Sequence, residues 1–425
     1  MTLNAPPIRG ETWELAFGPE FVFGTDPTTA YIKTIFGVVQ SATMPDPDMD
    51  YQPIWALGSA SKRDFYIAYK GKLTLAGSIS DIWLLNGAPL FLPLGTVATV
   101  GTAKVGGSTT LTGAHAAGVT ALTVGDSTDF TTGDICQIGT GATAECVRIS
   151  AVPGGTSITL AYPLRFAHAG AETVIERQAP YTHTISESSI LPTIAMQHEM
   201  FDSEGASKLI RRWLGGKCGR ASYSGAEGEE LKMSIDELLF NKYLKTGDGG
   251  VASASPTYPT TEPYIFSYGA LTLWGTEFAR VKNWSIEVSN ELEPKYYVTD
   301  DATARLPYEF REGKRNYRVA AVVDIVDSTL FDELVKFGVN HGAAVDGLFK
   351  GFDVSIAYTR GSNDTITFTL PPSAAAGGGD AQGCFIKNAP HNIVTEPQVP
   401  VSLDILARAM KIVAVDSVPN WFDIV

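Results

Sequence analysis

The sequence predicts a mainly β protein, made of sandwich- or barrel-forming domains with short flanking helices. Polar and apolar residues alternate in several segments, most clearly in YTHTISESSILPTIAMQHEM at 181–200, and this alternation is typical of strands with one buried face. The 42 Gly and 24 Pro residues favour a chain of strands and turns. With 44% hydrophobic and 18% charged residues among 425, the chain is not disordered in composition and is long enough for two or three domains.

Composition divides the chain into four parts. Residues 97–177 are rich in Gly, Ala, Thr and Val and poor in charge, with short strand signals between Gly-containing turns, which indicates a small inserted β domain. Residues 1–96 and 178–250 then form a first, discontinuous domain. Residues 251–263 have the composition of a linker, and residues 264–425 form a second domain.

Helices are expected at two places in the first domain. One lies around SDIWLLNGAPLF at 80–91, with Ser80 or Asp81 as its N-cap. The other lies in SEGASKLIRRWLGGK, with Ser203 as its cap and Gly215 as its stop. A strand pair should follow within residues 219–239.

The second domain repeats the order of predicted elements in the first. A strand in VKNWSIEVS leads to an acidic, Pro-containing loop, then to the strand YRVAAVVDIVD, and then to a capped helix that ends at Gly338. The segment 351–372 reads as a hairpin. The matching order of strand, loop, strand and helix predicts a structural duplication.

Charge and cysteine content exclude several classes of protein. A net charge of −14 is opposite in sign to what gripping DNA by its phosphates requires. The four cysteines form no C-x-x-C pair, and Cys136 and Cys146 are placed to face each other across a hairpin. The sequence has neither a signal-peptide pattern nor an apolar run of about 20 residues, so we expect a soluble, cytoplasmically synthesised protein without a membrane partner.

No catalytic or cofactor-binding set is recognisable, and we expect neither an enzyme nor a cofactor. The Ser59–Lys62 and Lys245–Gly247 segments match two parts of the serine β-lactamase signature, but its Ser-Asp-Asn part is missing. Asp46, Asp48 and Asp50 are spaced as in a calcium loop, but Tyr51 stands where Gly is needed and Leu57 where Glu is needed. We interpret them as an interface loop, with weak cation binding as the alternative.

Three stretches of the chain resemble a known family. Tyr181, His183, Leu191, Pro192 and Cys218 lie in YTHTISESSILPTIAMQHEM and the following GGKCGRASYSGAEGEELKMSIDEL. Together with the Asn-Glu-Leu sequence of VKNWSIEVSNELEP, these segments resemble tail tube proteins of long-tailed (siphovirus-type) bacteriophages, in the family with duplicated tube domains.

The resemblance implies a fold and an assembly. Each tube domain would be a β-sandwich whose sheet joins its neighbours edge to edge, and three chains would close a pseudo-hexameric ring. Rings would stack head to tail around a channel that conducts genomic DNA without binding it specifically. The implied partners are other copies of the chain and the tape measure, terminator and distal tail proteins, and the implied location is the virion tail. The inserted domain would lie on the outer surface.

The resemblance also suggests which residues make the assembly. The long loops at 43–64 and 290–314 are the predicted sites of ring-to-ring stacking. Their charged candidates are Asp46, Asp48, Asp50, Lys62, Arg63, Glu291, Glu293, Arg311, Lys314 and Arg315. The strand candidates for the lumen or a subunit seam are Thr182, His183, Thr184 and Ser186. The alternatives are another β-rich virion protein (a tail terminator, a capsid decoration protein or a needle component) and, less favoured, a carbohydrate-binding β protein.

Overall fold

A computed structural model describes residues 8–55, 67–202, 204, 206–248, 251–273, 276–277, 281–297, 305–324, 352–371, 383–388 and 400–423. These residues are almost entirely β structure, as the sequence predicts. The strands are β1 (Ile8–Pro19), β2 (Thr34–Ile35), β3 (Val38–Thr43), β4 (Asp48–Ile54), β5 (Ile67–Trp83), β6 (Gly95–Thr110), β7 (Ala121–Thr123), β8 (Ile135–Ile138), β9 (Glu145–Gly154), β10 (Ser157–Leu160), β11 (Thr173–Glu187), β12 (Ile194–Asp202), β13 (Ser207–Ala226), β14 (Lys232–Phe240), β15 (Lys242–Lys245), β16 (Gly269–Leu273), β17 (Thr276–Glu277), β18 (Val281–Ser289), β19 (Glu293–Lys295), β20 (Glu309–Arg311), β21 (Asn316–Asp324), β22 (Val354–Thr359), β23 (Thr365–Leu370), β24 (Phe385–Asn388), β25 (Pro400–Ala407) and β26 (Lys411–Asp416). Short 3-10 helices occupy Thr29–Tyr31, Ala88–Phe91, Gly141–Thr143 and Phe266–Tyr268.

The first of the two large sheets contains a run of eight antiparallel strands, in the order β3-β5-β14-β13-β18-β21-β25-β24. Its two halves have the same topology. Each half consists of four strands, and in each half the last two strands along the chain have exchanged places in the sheet. The sheet order is β3-β5-β14-β13 in the first half and β18-β21-β25-β24 in the second. We call these the first and second repeats.

The second sheet packs against the first and completes a sandwich. Its order is β17-β16-β22-β23-β26-β11-β8-β9-β10-β7, with β6 also paired to β11. Aromatic rings from both sheets meet in the core: Phe368 of β23 lies 5.2 Å from Tyr223 of β13 and 5.8 Å from Trp284 of β18, measured between ring centroids. The sandwich therefore buries side chains of both repeats in one core.

The charge-poor segment 97–177 is continuous with the long hairpin formed by β6 and β11. β6 and β11 pair from Gly95 with Glu187 to Thr110 with Thr173, so both strands continue through positions 97 and 177. The segment is fixed to the rest of the molecule by an aromatic cluster around its Tyr162, whose ring lies 5.2 Å from Tyr31 and 6.3 Å from Phe422. Because the strands are continuous and the contact is aromatic, this part cannot swing freely on a linker.

The segment 251–263 contains no strand, but it packs on the first sheet. Ala254 is buried against Ala16 and Leu214, and the amide of Gln197 donates to the Ala252 carbonyl at 2.9 Å. The two repeats are therefore joined by a packed strap.

Both helices expected in the first domain are wrong. Ser80–Trp83 completes β5, and the helical turn comes later, as the 3-10 helix Ala88–Phe91. Residues 207–215 belong to the long strand β13. Its side chains are covered on both faces, by the sandwich core at Trp213 and by the strap at Leu214, so the alternation that marks a half-exposed strand is absent. Ser203 and the predicted helix ending at Gly338 lie outside the described residues.

Within the described residues, the other strand predictions are confirmed. β13 and β14 form the pair expected within 219–239, and β22 and β23 form the expected hairpin. Cys136 and Cys146 do lie on the hairpin β8–β9, but Cys136 is opposite Val147, so the two thiols point to different faces. All four cysteines are free and buried.

Candidate assembly surfaces

The two repeats meet at a seam formed by β13 and β18. Seven consecutive residue pairs, from Arg220 with Ser289 to Ala226 with Asn283, hold this seam together. On the core side of this seam, the indole N–H of Trp284 donates to the Tyr358 hydroxyl at 2.9 Å, and both side chains are buried. At the seam, β13 is the last strand of the first repeat in sheet order, and it pairs with β18, the first strand of the second repeat.

The same eight-strand run ends in two open edges. Within the described part of the chain, β3 pairs with β5 alone on its side of the sheet, and β24 pairs with β25 alone. β3 is poorly covered, with Val38 38% exposed and Val39 and Ala42 half-buried against the core. An open strand edge with partly exposed apolar residues is a template for pairing with another chain.

Strand direction at the two open edges is compatible with such pairing. All neighbours in the eight-strand run are antiparallel, so β3 and β24 run in opposite directions. A β24 edge placed beside the β3 edge of another copy would therefore form an antiparallel pair, as β13 and β18 do at the seam.

Each repeat also carries a hairpin between its first two sheet strands. In the first repeat, β4 pairs with residues 67–74 of β5, and we call this ribbon the first arm. In the second repeat, β19 pairs with β20, and we call it the second arm. Of the sixteen large apolar side chains that are exposed among the described residues, seven lie on or beside the two arms: Tyr51, Ile54, Trp55, Ile67, Tyr69, Tyr297 and Tyr308.

The second arm packs against the base of the first within the same chain. The Leu73 N–H donates to the Arg305 carbonyl at 2.9 Å, and the Tyr296 hydroxyl donates to the Leu73 carbonyl at 3.3 Å. The Lys72 ammonium lies 4.8 Å from the centre of the Tyr296 ring. The arm that follows β18 therefore reaches back across the seam to the preceding repeat.

The predicted charges of the first loop have different environments. Asp48 and Asp50 are exposed on the first arm. Asp46 lies between β3 and β4 and forms an ion pair with Arg211 of its own chain. Lys62 and Arg63 lie outside the described residues.

The predicted charges of the second loop divide in the same way. Arg311 and Lys314 are exposed. Glu291 accepts from the Asn316 amide at 3.0 Å, and Glu293 pairs with Lys295, whose ammonium lowers the pKa of that carboxyl by hydrogen bonding.

Arg315 has an internal role instead. It donates to the Asn290 side chain at 2.7 Å and to the Ser188 carbonyl at 3.0 Å, and so fixes the start of the second loop.

The strand predicted to face the lumen or a seam needs one correction. Thr182, Thr184 and Ser186 are half-buried and share the outward face of β11, whereas His183 points into the protein and is 1% exposed. Its ring stacks on Trp421 at 4.0 Å, and its Nδ1 lies 3.0 Å from the Thr99 hydroxyl. The alternation was assigned correctly, but an imidazole with polar partners on the buried face was not foreseen.

The outward face of the eight-strand run has a mixed polar surface. Near the seam and the β24 edge, a shallow cleft of about 290 Å³ is lined by Glu287, Arg318, Lys387 and Asp404, among others. The Arg318 guanidinium donates to both Asp404 oxygens, at 2.9 and 3.1 Å, and these hydrogen bonds lower the pKa of that carboxyl. No sequence pattern marked these residues, because they come together only through the order of the strands.

Other kinds of site were sought in the described ranges. No group of three or more His, Cys, Asp or Glu side chains there could hold a metal ion. No helix in the same ranges is long and apolar enough to cross a bilayer.

A family model described as phage tail tube protein matches residues 10–384, which include the first repeat, both arms and the strands β18 and β21 of the second repeat. The chain belongs to the phage tail tube protein family. Among curated proteins, no match to the chain was found. The tail tube chain is thus a structural subunit of the virion tail, and its family implies self-assembly and contact with other tail proteins. A structural family of this kind points away from enzymatic activity.

Proposed function

We propose that copies of this tail tube chain close into rings, in which β24 of each copy pairs with β3 of the next. The observation that carries the proposal is the pair of open, oppositely directed edges at the two ends of one continuous sheet. Closure would satisfy the backbone groups that both edges leave exposed, and it would cover the apolar residues of β3.

The internal repeat supports a ring of three chains. Each chain supplies two four-strand repeats, so three chains would supply six equivalent positions and 24 strands in one barrel. Such rings would stack head to tail into the tube, an open helical assembly of one repeated contact. The tape measure, terminator and distal tail proteins are the proposed partners at its ends, and the host cytoplasm is the proposed site of synthesis.

The channel would be lined by the outward face of the eight-strand run and would conduct the DNA genome. Half-buried serines such as Ser222 and Ser224 lie on this face, and Arg318 is neutralised by Asp404. A face without a block of cations offers no counterion-releasing grip on phosphates, so DNA would pass without sticking. For Thr182, Thr184 and Ser186 we propose a polar seam between subunits, and for the inserted domain the outer surface.

Stacking would use the charges of the two loops. Asp48 and Asp50 of one subunit are proposed to face cations of another subunit, namely Lys62, Arg63, Arg311 and Lys314. These charge pairs would fix the register between stacked rings more than they would increase the affinity of stacking. The double variant Asp48→Lys/Asp50→Lys is expected to shorten tubes, with the largest effect at low salt. An unchanged distribution of tube lengths at low salt would count against this assignment.

The ring proposal is tested by electron microscopy of the purified chain and of two edge variants. Val39 on β3 points inward, opposite Ile82, whereas Ser41 points outward, opposite Ser80. An inward lysine on an edge strand blocks pairing with another chain, so Val39→Lys should abolish tubes and Ser41→Lys should retain them. Normal tubes from Val39→Lys, with an unchanged circular dichroism spectrum, would contradict the proposal. Closed rings that never stack would instead indicate a terminator-like protein.

A further inference from the structure

A cavity of about 150 Å³ lies between the inserted segment 97–177 and the rest of the molecule. Four phenylalanines line it: Phe166 belongs to the segment, and Phe21, Phe91 and Phe422 lie outside the segment. Phe91 and Phe422 are buried, and their ring centroids are 5.5 Å apart in an edge-on pair. A cavity of about this volume with apolar walls can hold a molecule of the size of benzene.

Arg165 brings a charged group to this apolar cavity. Its side chain is 11% exposed, and its guanidinium carbon lies 5.3 Å from the ring centres of Phe166 and Phe422. The Nε–H is buried and has no hydrogen-bond partner in the described part of the chain. Glu145 forms an ion pair with Arg165, but its Oε2 is 3.7 Å from Nε, which is too far for a hydrogen bond. The guanidinium therefore keeps a buried donor without an acceptor, which costs free energy.

Glu145 is instead occupied by the backbone that carries Arg165. Its Oε2 accepts from the Arg165 N–H at 3.0 Å, and its Oε1 accepts from the Phe166 N–H at 3.2 Å. The same Oε1 lies 2.9 Å from Nε2 of His168. These contacts fix the backbone that carries the guanidinium, which is held at the cavity with its Nε–H available to another acceptor.

We propose that this cavity binds a small apolar carboxylate, whose oxygens accept from the Arg165 guanidinium and whose hydrocarbon part lies among the phenylalanine rings. The planar fork of a guanidinium matches a carboxylate and can donate two parallel hydrogen bonds to it. The volume limits the hydrocarbon part to about the size of one benzene ring. The site is complete within one chain, so the proposal does not depend on the formation of rings.

Glu20 is the other ionisable residue that lines the cavity, and its charge affects whether an anion can enter. Its oxygens accept from the N–H groups of Gly24 and Gly215, at 3.0 and 2.7 Å. Burial, with a smaller contribution from the charge of Asp26, outweighs these hydrogen bonds and raises the pKa of Glu20 to about 7. Below that pH the carboxyl is mostly neutral and does not repel an anion, so binding is best tested at pH 6.

Binding would also hold the inserted segment in place. The ligand would contact Arg165 and Phe166 of the segment on one side and phenylalanines outside the segment on the other. A ligand that binds only the closed arrangement stabilises it relative to any arrangement in which the segment has opened. The ligand should therefore slow proteolysis within the segment.

Calorimetric titration of the unassembled chain with benzoate at pH 6 tests the site, and benzyl alcohol is the control ligand because it carries the same ring without the charge. Arg165→Met removes the donors, retains a side chain of similar length, and should weaken benzoate binding by about tenfold to a hundredfold. The matched control variant is Arg220→Met, which removes a half-exposed guanidinium from β13, outside the cavity lining. It should bind benzoate as the wild-type chain does.

The proposal is overturned if the folded wild-type chain does not bind benzoate. It is also overturned if Arg165→Met binds benzoate as tightly as the wild-type chain, because the ligand then lies elsewhere. Benzyl alcohol that binds as tightly as benzoate would show that the carboxylate is not recognised, with the same consequence. Should circular dichroism show that Arg165→Met is unfolded, Arg165→Lys takes its place; it keeps the charge, loses the fork, and should bind benzoate more weakly than the wild-type chain.

Discussion

Replacing Gly225 by alanine should damage the seam between the two repeats. Gly225 of β13 lies opposite Trp284 of β18 in the register of the seam. A Cβ atom at Gly225 would lie 2.2 Å from the Tyr358 hydroxyl and 2.8 Å from the Trp284 indole nitrogen, both far below van der Waals contact. The Tyr358 hydroxyl must therefore move away from the indole N–H to which it is bonded.

The magnitude follows from two costs. An indole N–H left buried without its acceptor costs about 1–3 kcal/mol, and forcing a methyl group into a packed core typically costs about 1–3 kcal/mol. Part of this is offset, because alanine loses less backbone entropy than glycine on folding, by about 0.5–1 kcal/mol. The expected loss in the free energy of unfolding is about 2–4 kcal/mol.

The assay is denaturant unfolding of the unassembled chain, followed by tryptophan fluorescence. The matched control is Ser224→Ala, one residue away, where the side chain is half-buried on the outward face of the same strand. The control should change the free energy of unfolding by less than about 0.5 kcal/mol. If Gly225→Ala were no more destabilising than Ser224→Ala, the packing described for Trp284 and Tyr358 would be incorrect.

Three further substitutions test other parts of the structure. The Tyr162 hydroxyl is buried without a hydrogen-bond partner, so Tyr162→Phe should leave the melting temperature unchanged or raise it. Tyr162→Ala should lower the free energy of unfolding by about 3–5 kcal/mol and expose the inserted segment to proteolysis. A Tyr162→Phe protein as unstable as Tyr162→Ala would contradict this. Burial lowers the pKa of His168, but its hydrogen bonds to Glu145 and Glu172 outweigh burial and raise the pKa overall. The resulting stabilisation should be complete below the unfolded value of about 6.5 and be lost as the pH rises through the raised value, and melting curves of His168→Gln should lack this alkaline loss. Arg212 is fully buried and donates to Asp26 and Gln197, so Arg212→Ala should cost about 3–5 kcal/mol, while the surface variant Arg408→Ala should cost little.

The strands that sequence predicted correctly are those with one exposed face. In β11 the residues Tyr181, His183 and Ile185 are buried and the threonines between them are not, so the period of two is visible in the sequence. β13 shows the opposite case. Arg212 on one face is buried beside Asp26 and Gln197, and Trp213 on the other face is buried in the sandwich core. Because both a charged and a bulky residue are buried, the sequence does not show which face is exposed, and the segment resembles a helix.

The candidate surfaces were predictable only in part. The two loops were located from their proline and acidic residues, and Asp48, Asp50, Arg311 and Lys314 are indeed exposed. The open edges β3 and β24 could not be located, because an edge is a property of strand order, which depends on pairing between residues far apart in the chain. Asp46 and Arg315 were assigned to contacts between subunits because their partners, Arg211 and Asn290, approach only in the folded chain.

The presence of two repeats in one chain would give the proposed ring an asymmetry that six identical chains would not have. The hairpin β6–β11 of the first repeat carries the inserted segment, whereas the hairpin β22–β23 of the second turns directly between Thr359 and Thr365. In the proposed ring the inserted domain would therefore occur at every second position, three times around the tube, and would leave space beside each copy. In that ring the covalent link would also make half of the seams intramolecular, so they would form at a high effective concentration and before any other copy is met. In the proposed ring, assembly would then depend on the β3 and β24 edges alone. A defect there should abolish rings while the β13–β18 seam, and with it the folded chain, remains intact.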